Sequence, residues 1–243
     1  MPRMTRIPTL LLLLALACKA PHAPAPPETR AQQRVPAPVM SSHGADWLER
    51  PERETEERPQ LVIDAMQLRE GDVVAEIGAG TGYFARRIAR AVGPRGLVYA
   101  NDIQPEMLDL MRTYAARDKL TNIRPVLGTE VDPKLPANTL DWILLVDVYH
   151  EFQQPQPMLA RMREALKPDG RVMLVEYRGD GTTARHIRPE HRMTKEQVLQ
   201  EWTPAGYRLE SISEALPSQR MFIFSRPERL VRDPVAARWP RVR

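Results

Sequence analysis

Two short stretches hold the residues best suited to chemistry. "DVYHEF", 147–152, gathers Asp147, Tyr149, His150 and Glu151 directly behind a long apolar run. An imidazole with an ordinary pKa of about 6.5 can take or give a proton near neutrality, so His150 is a candidate general base, with Tyr149 and Asp147 beside it as further catalytic candidates. A packed, hydrogen-bonded histidine of purely structural purpose is the other reading. "VVAEIGAGTGYFARRIA", 73–89, sets Gly78, Gly80 and Gly82 at every second position between an apolar run and a helical pattern, with Glu76 two residues ahead of the first glycine. A loop of this kind at the carboxyl end of a first strand is where a doubly wound sheet binds its ligand. Tyr83 stands where the dinucleotide fingerprint G-x-G-x-x-G needs a small residue, and the Lys-Ser/Thr of a P-loop is missing. The carboxylate of Glu76 does nothing for a phosphate cradle. Tight packing without any ligand would also produce such a turn.

The elements that must position these residues are legible from Gln60 onward, where apolar runs of strand length alternate with helical periods. Strands are expected at 73–78, 97–101, 123–128, 140–148, 171–177, 207–213 and 220–225. Helices are expected around Phe84, Ile88 and Val92, around Met107, Leu110, Met111 and Tyr114, and around Met158, Leu159, Met162, Ala165 and Leu166, the last closed by the turn "KPDG" at 167–170. Only "EALPSQ" joins the last two strands, too little for a crossover helix, so that pair must be antiparallel. The expected fold is α/β: a doubly wound, Rossmann-like seven-stranded sheet, mostly parallel with an antiparallel terminal strand, and helices on both faces.

The E-x-G-x-G-x-G pattern at 76–82 is followed in order by "VYANDIQPEML", "LGTEVDPKLP", "LLVDVYHEF" and "LKPDGRVMLVEYR". This series resembles the class I S-adenosylmethionine-dependent methyltransferases, over about residues 60 to 225. The resemblance implies S-adenosylmethionine as cofactor. Gly78, Gly80 and Gly82 would let the backbone approach its methionine part, and Glu76 would help hold the amino end. Asp102, followed by Ile103, would accept hydrogen bonds from the ribose hydroxyls, and Asp147 would border both cofactor and methyl-transfer site. Thr129 occupies the place where many members carry an acidic residue for the adenine amine, and Glu130 or Asp132 is the candidate substitute. The implied reaction is an in-line methyl transfer to a small-molecule acceptor, because added substrate-binding domains are absent. Glu176 and Tyr177, at the end of the fifth strand run, read either as a border of the acceptor pocket or as groups that only satisfy local polar atoms. The polar loop 178–193 reads either as a lid for an anionic acceptor or as a solvated basic loop. Its His186 and His191 lack carboxylate or Cys partners at a recognised spacing, so no metal site is expected.

The ends read differently. Arg3 and Arg6, the apolar run Ile7 to Ala17, and Cys18 resemble a lipoprotein export signal at 1–18, which would leave Cys18 acylated and the protein on the periplasmic side of a membrane. Another kind of signal, or a start placed too early with Met40 next, would leave other outcomes open, including a cytoplasmic protein. Residues 19–44 read as a Pro/Ala-rich linker, 45–226 as the expected methyltransferase domain that the resemblance implies, and 227–243 as a basic tail that could touch anionic head groups. "DWLERPERETEERPQ" reads as a helix with solvated faces or a partly ordered lead-in. Five basic residues face Glu28 in 1–38, and six Arg face Glu228 and Asp233 in 226–243, which leaves 24 basic against 28 acidic residues between. Such a body does not suit nucleic acid. A monomer or weak dimer is expected. Because S-adenosylmethionine is made in the cytoplasm, an exported chain also admits a second reading: an envelope-anchored, non-catalytic binding module on a methyltransferase fold.

Overall fold

The computed structural model describes residues 35–227. The expected signal, Cys18 and nearly all of the basic tail lie outside the described residues. Eight strands form one sheet: β1 (Val73–Ile77), β2 (Leu97–Asp102), β3 (Ile123–Leu127), β4 (Leu140–Val146), β5 (Leu166–Arg178), β6 (Arg192–Met193), β7 (Arg208–Ser213) and β8 (Gln219–Ser225). The order is β3-β2-β1-β4-β5-β8-β7, with β6 pairing β5 beyond its run with β4. All pairings from β3 to β5 are parallel, and β8 runs antiparallel to both of its neighbours, as its short link to β7 requires. The Rossmann-like architecture expected from the alternation is therefore present.

Strand residues alternate between two cores, because successive side chains leave a strand on opposite faces. Val74, Trp142, Leu144, Met173 and Val175 join one core, while Ala75, Ile143, Leu145, Val172 and Leu174 join the other. The first core is covered by α3 (Pro59–Met66), α4 (Tyr83–Val92) and α5 (Pro105–Arg117), through Val62, Ile88 and Met111 among others. The second is covered by α6 (Pro155–Ala165) and α7 (Lys195–Trp202). Covering both faces explains why β1 and β4 read as continuous apolar runs rather than alternating ones.

Two features of the sheet differ from expectation. "KPDG" does not stop the chain between helix and strand but lies within β5, as an irregularity between the pairs Leu140↔Leu166 and Trp142↔Arg171. Gly170 permits it: a Cβ there would sit 2.7 Å from the Leu140 carbonyl oxygen. The eighth strand, β6, is only two residues long, below what an apolar pattern can reveal.

The lead-in segment also folds, into α1 (Ala45–Leu48) and α2 (Arg53–Glu56). Glu54, Thr55 and Glu56 form the expected solvated face, but Arg53 and Glu57 are buried and pair with each other at 2.8 Å. Their i, i+4 spacing lets the two charges cancel, which is what allows them to leave water. Residues at the end of the expected linker are packed as well: Ala37 is fully buried and its N–H donates to the His150 carbonyl at 3.0 Å.

The second core closes on Trp202, fully buried and stacked on Phe224 with ring centroids 4.6 Å apart. Trp202→Ala is expected to lower unfolding free energy by about 3–5 kcal/mol through the cavity it leaves, read as a shift of the urea midpoint.

Candidate functional site

The site residues converge at the carboxyl edge of β1, β2, β4 and β5, the side on which doubly wound sheets bind ligands. The glycine loop follows β1 directly. Gly78 and Gly80 have φ of 67° and 52°, a region that penalises any Cβ. The space a Cβ would need is also taken: by Val148 at Gly78, and by Leu48 of α1, 2.7 Å away, at Gly80. The loop's amides are largely spent inside the protein. Ala79 N–H donates to the Asn101 carbonyl, Gly82 N–H to the Ala79 carbonyl, and Gly80 N–H to Asp102 Oδ2 at 2.8 Å. A phosphate cradle needs free N–H groups pointing at the ligand, and this loop has committed three of them.

What the loop presents instead is carboxylate. Glu76 is buried, its Oε2 has no hydrogen-bond partner, and its pKa is pushed up to about 8. Burial is the main cause, with the Asp102 charge adding to it, while the Ala85 amide and the Arg53 and Arg86 charges pull the other way. Asp147, just past β4, repeats the pattern. Its backbone takes φ of 50°, unusual for a residue with a side chain, as strained positions at functional sites often are. Its Oδ2 accepts from Gln219 Nε2 at 2.5 Å, and its Oδ1 is buried without a partner. Burial, then the charges of Glu57 and Glu176, hold its pKa well above the usual carboxylate range. Asp102 accepts the N–H of Gly80 on one oxygen and that of Gln104, at 2.9 Å, on the other, and burial raises its pKa too. Each of these oxygens keeps a second lone pair for a hydroxyl.

Buried carboxylate oxygens without partners are costly and call for a cation or donors from a ligand. A ligand with an ammonium, a sulfonium and a ribose meets that demand, so these residues fit S-adenosylmethionine: Glu76 and Asp147 for the cationic end, Asp102 for the ribose, with half-buried Ile103 beside it. The adenine side is less complete. Thr129 and Glu130 are exposed; the Thr129 hydroxyl accepts the Asp132 N–H at 3.0 Å, and Asp132 Oδ1 accepts the Lys134 N–H at 2.8 Å. Those bonds close a turn on themselves, so Asp132 and Thr129 serve the loop.

The catalytic candidates separate. Tyr149 is fully buried, its hydroxyl 2.6 Å from Glu201 Oε2. His150 is buried with Nδ1 2.6 Å from Glu176 Oε2 and Nε2 3.1 Å from His191 Nδ1. Glu176 is thus tied to the turn at 149–151 rather than facing an open pocket. Arg178 of the loop 178–193 is equally engaged, ion-paired with Glu214 at 3.1 Å and bonded to the Gln219 carbonyl. Sequence reasoning missed the N-terminal cover. Glu49 accepts from the Thr81 hydroxyl at 2.6 Å and pairs with buried Arg86 at 2.6 Å. Gln104 donates to the Met40 carbonyl, and Glu151 accepts the Met40 N–H at 3.3 Å. Arg53 lies over the Tyr83 ring at 4.1 Å, and its charge reaches both Glu76 and Asp147. The i, i+4 spacing of Arg53 and Glu57 was the one available signal, and it is equally common on solvated helices.

Residues 74–170 match the family model described as a methyltransferase domain. The chain is 28% identical over 152 residues to a protein-L-isoaspartate O-methyltransferase of Methanothrix thermoacetophila, covering 61% of this chain and 65% of that one. It is 32% identical over 124 residues to the ubiquinone/menaquinone biosynthesis C-methyltransferase UbiE of Saccharophagus degradans, covering 49% and 48%. The match therefore spans less than two-thirds of the length of each of these curated relatives, 65% of one and 48% of the other. Among solved structures, a SAM-dependent methyltransferase from Aquifex aeolicus superposes with a TM-score of 0.72 at 24% identity, over 76% of this chain and 98% of that one. These likenesses lend nothing to the reading as a non-catalytic binding module. Residues 74–170 thus resemble a methyltransferase domain, and the chain carries the Rossmann-like fold seen in S-adenosylmethionine-dependent methyltransferases.

Proposed function

We propose that this protein is an S-adenosylmethionine-dependent methyltransferase acting on a small-molecule acceptor. The observation that carries this reading is the pair of buried, partnerless carboxylate oxygens, Glu76 Oε2 and Asp147 Oδ1, beside a glycine loop whose amides are already bonded. When bound, the cofactor supplies a methyl group on a sulfonium, an electrophile with its leaving group built in. The chain's work is then chiefly positioning and exclusion of water. Glu76 and Asp147 hold the cationic end, Asp102 fixes the ribose while also pinning the Gly80 amide, and α1 and α2 cover the loop through Leu48 and Arg53. The acceptor comes from the carboxyl edge of β4 and β5. The curated relatives named above act by O- and C-methylation, which supports a transferase without choosing the acceptor.

Isothermal calorimetry tests this reading. S-adenosylmethionine should bind, and Asp102→Ala and Gly80→Val should each weaken it by about tenfold or more, the latter by forcing a β-branched side chain into φ of 52° against Leu48. Unchanged affinity in both variants would sink the proposal. Affinity should also rise with pH as Glu76 ionises toward pH 8, and Glu76→Gln should remove that dependence.

Without ligand the same group acts on stability. Its folded pKa lies above its ordinary value of 4.5, so the stability it contributes is complete below that value and is lost as pH rises to about 8. Glu76→Gln should flatten that fall, by up to roughly 4 kcal/mol, in urea melts run at about pH 5 and about pH 8.

An envelope location is proposed on the export-like pattern at 1–18. Cys18→Ala should move the protein from the membrane to the soluble fraction on cell fractionation, and an unchanged distribution counts against lipid anchoring.

A further inference from the structure

Glu176, His150 and His191 form one hydrogen-bonded chain assembled from three places in the sequence. Glu176 ends β5, and its Oε1 accepts the N–H groups of Tyr149 at 2.8 Å and His150 at 3.3 Å. Its Oε2 bonds His150 Nδ1, and His150 Nε2 meets His191 Nδ1, the two rings edge to face at 78°. With both ring nitrogens engaged and only 3% of its surface exposed, His150 cannot itself touch an acceptor. His191 can: it is half-buried, and among the described residues its Nε2 makes no hydrogen bond.

The mount of His191 is firm. The next two residues, β6, pair with Tyr177 and Arg178 of β5, and Gly179 N–H donates to the Met193 carbonyl at 2.8 Å. Thr194 then caps α7, its hydroxyl accepting the Gln197 N–H while its own N–H donates to the Gln197 side chain. The ring is thus held at the carboxyl edge of β4 and β5, the approach side for an acceptor.

We propose that the methyl acceptor is a protic nucleophile, an O–H or S–H compound, whose proton is taken by His191 and passed to His150, with Glu176 as the positioning residue behind both. The inference rests on the methyl-transfer reading above. The acceptor's X–H bond breaks and its electron pair becomes the new X–CH3 bond. The pair of the breaking C–S bond stays on sulfur. The proton enters at His191 Nε2, the Nδ1 proton of the same ring moves to His150 Nε2, and His150 ends as an imidazolium beside Glu176.

The surrounding charges favour that direction. Burial opposes charge on His150, but Glu176 from β5, Asp147 from the end of β4 and Glu151 from its own turn outweigh it, pushing its pKa up to about 9. His191 is driven the other way, by burial and then by the charge of His150; Arg188 adds to this, while Glu190 and Glu176 oppose it. A proton reaching the outer ring therefore moves inward. The base-competent state has His150 uncharged, so turnover should climb with pH toward about 9.

The test uses the full chain with methyl-tritiated S-adenosylmethionine and three probes: a phenol, an alkyl thiol, and a tertiary amine that needs no base. Label is expected in the phenol or the thiol, with kcat/KM rising toward alkaline pH. His191→Gln should lower kcat about a hundredfold while leaving calorimetric cofactor affinity unchanged. Glu176→Gln should move the acid limb at least about one pH unit lower, because the carboxylate no longer supports charge on His150. Imidazole 15N spectra without acceptor give an independent readout: the His150 titration should fall in Glu176→Gln and its signals should shift in His191→Gln. Label on the amine alone, wild-type kcat in His191→Gln, or a His150 titration indifferent to Glu176 would overturn the relay. Failure of cofactor binding would instead strike the methyl-transfer reading, so the two failures are distinguishable.

Discussion

The burial of carboxyl groups along one edge of the sheet is the constraint around which this molecule is organised. Glu76, Asp102 and Glu176 are buried there, and half-buried Asp147 has one enclosed oxygen; they lie close enough that Asp102 raises the pKa of Glu76 and Glu176 that of Asp147. Each meets the cost of leaving water differently. Glu176 takes two backbone amides and an imidazole, and Asp102 takes two amides. Asp147 takes one side-chain amide on one oxygen, and Glu76 keeps an oxygen with no partner at all. Desolvated carboxylates in such number hold the site short of positive charge, and a cationic ligand relieves the shortage.

The N-terminal segment answers part of that demand from within the chain. Arg53, neutralised locally by Glu57, lends its field to Glu76 and Asp147, while Leu48 packs onto Gly80 and Glu49 ties Thr81 and Arg86. Glycine at 80 therefore serves two approaches at once, the left-handed turn of its own backbone and the apolar contact from α1. The same segment reaches the other half of the site through Ala37 and Met40, which bond the His150 carbonyl and Glu151. The cover is thus joined to both the cofactor side and the acceptor side.

Much of the scaffold was legible because its signals are local. Strand runs at 73–78, 97–101 and 140–148 and the helical spacing of Phe84, Ile88 and Val92 depend only on which neighbours are apolar, and the structure places them as expected. The short link between the last two strands dictates antiparallel pairing by chain length alone. What failed were readings that depended on the far side of a contact. The lead-in looked solvated on every face because its residues are charged, yet charge pairing at i, i+4 and a docking surface on α4 buried Arg53 and Glu57. "KPDG" looked like a stop because a turn and a strand irregularity use the same residues.

By itself, then, the sequence determined the sheet, its helices, the glycine loop and the acidic positions at strand ends, because these follow from periodicity and from glycine's freedom at positive φ. Only the tertiary structure decided which of those groups meet. Glu176 and His150 lie 26 residues apart and His191 a further 41 from His150, and no local pattern carries that distance. The fold also decided which oxygens stay unpaired, since satisfaction of a buried carboxyl depends on every element that packs against it.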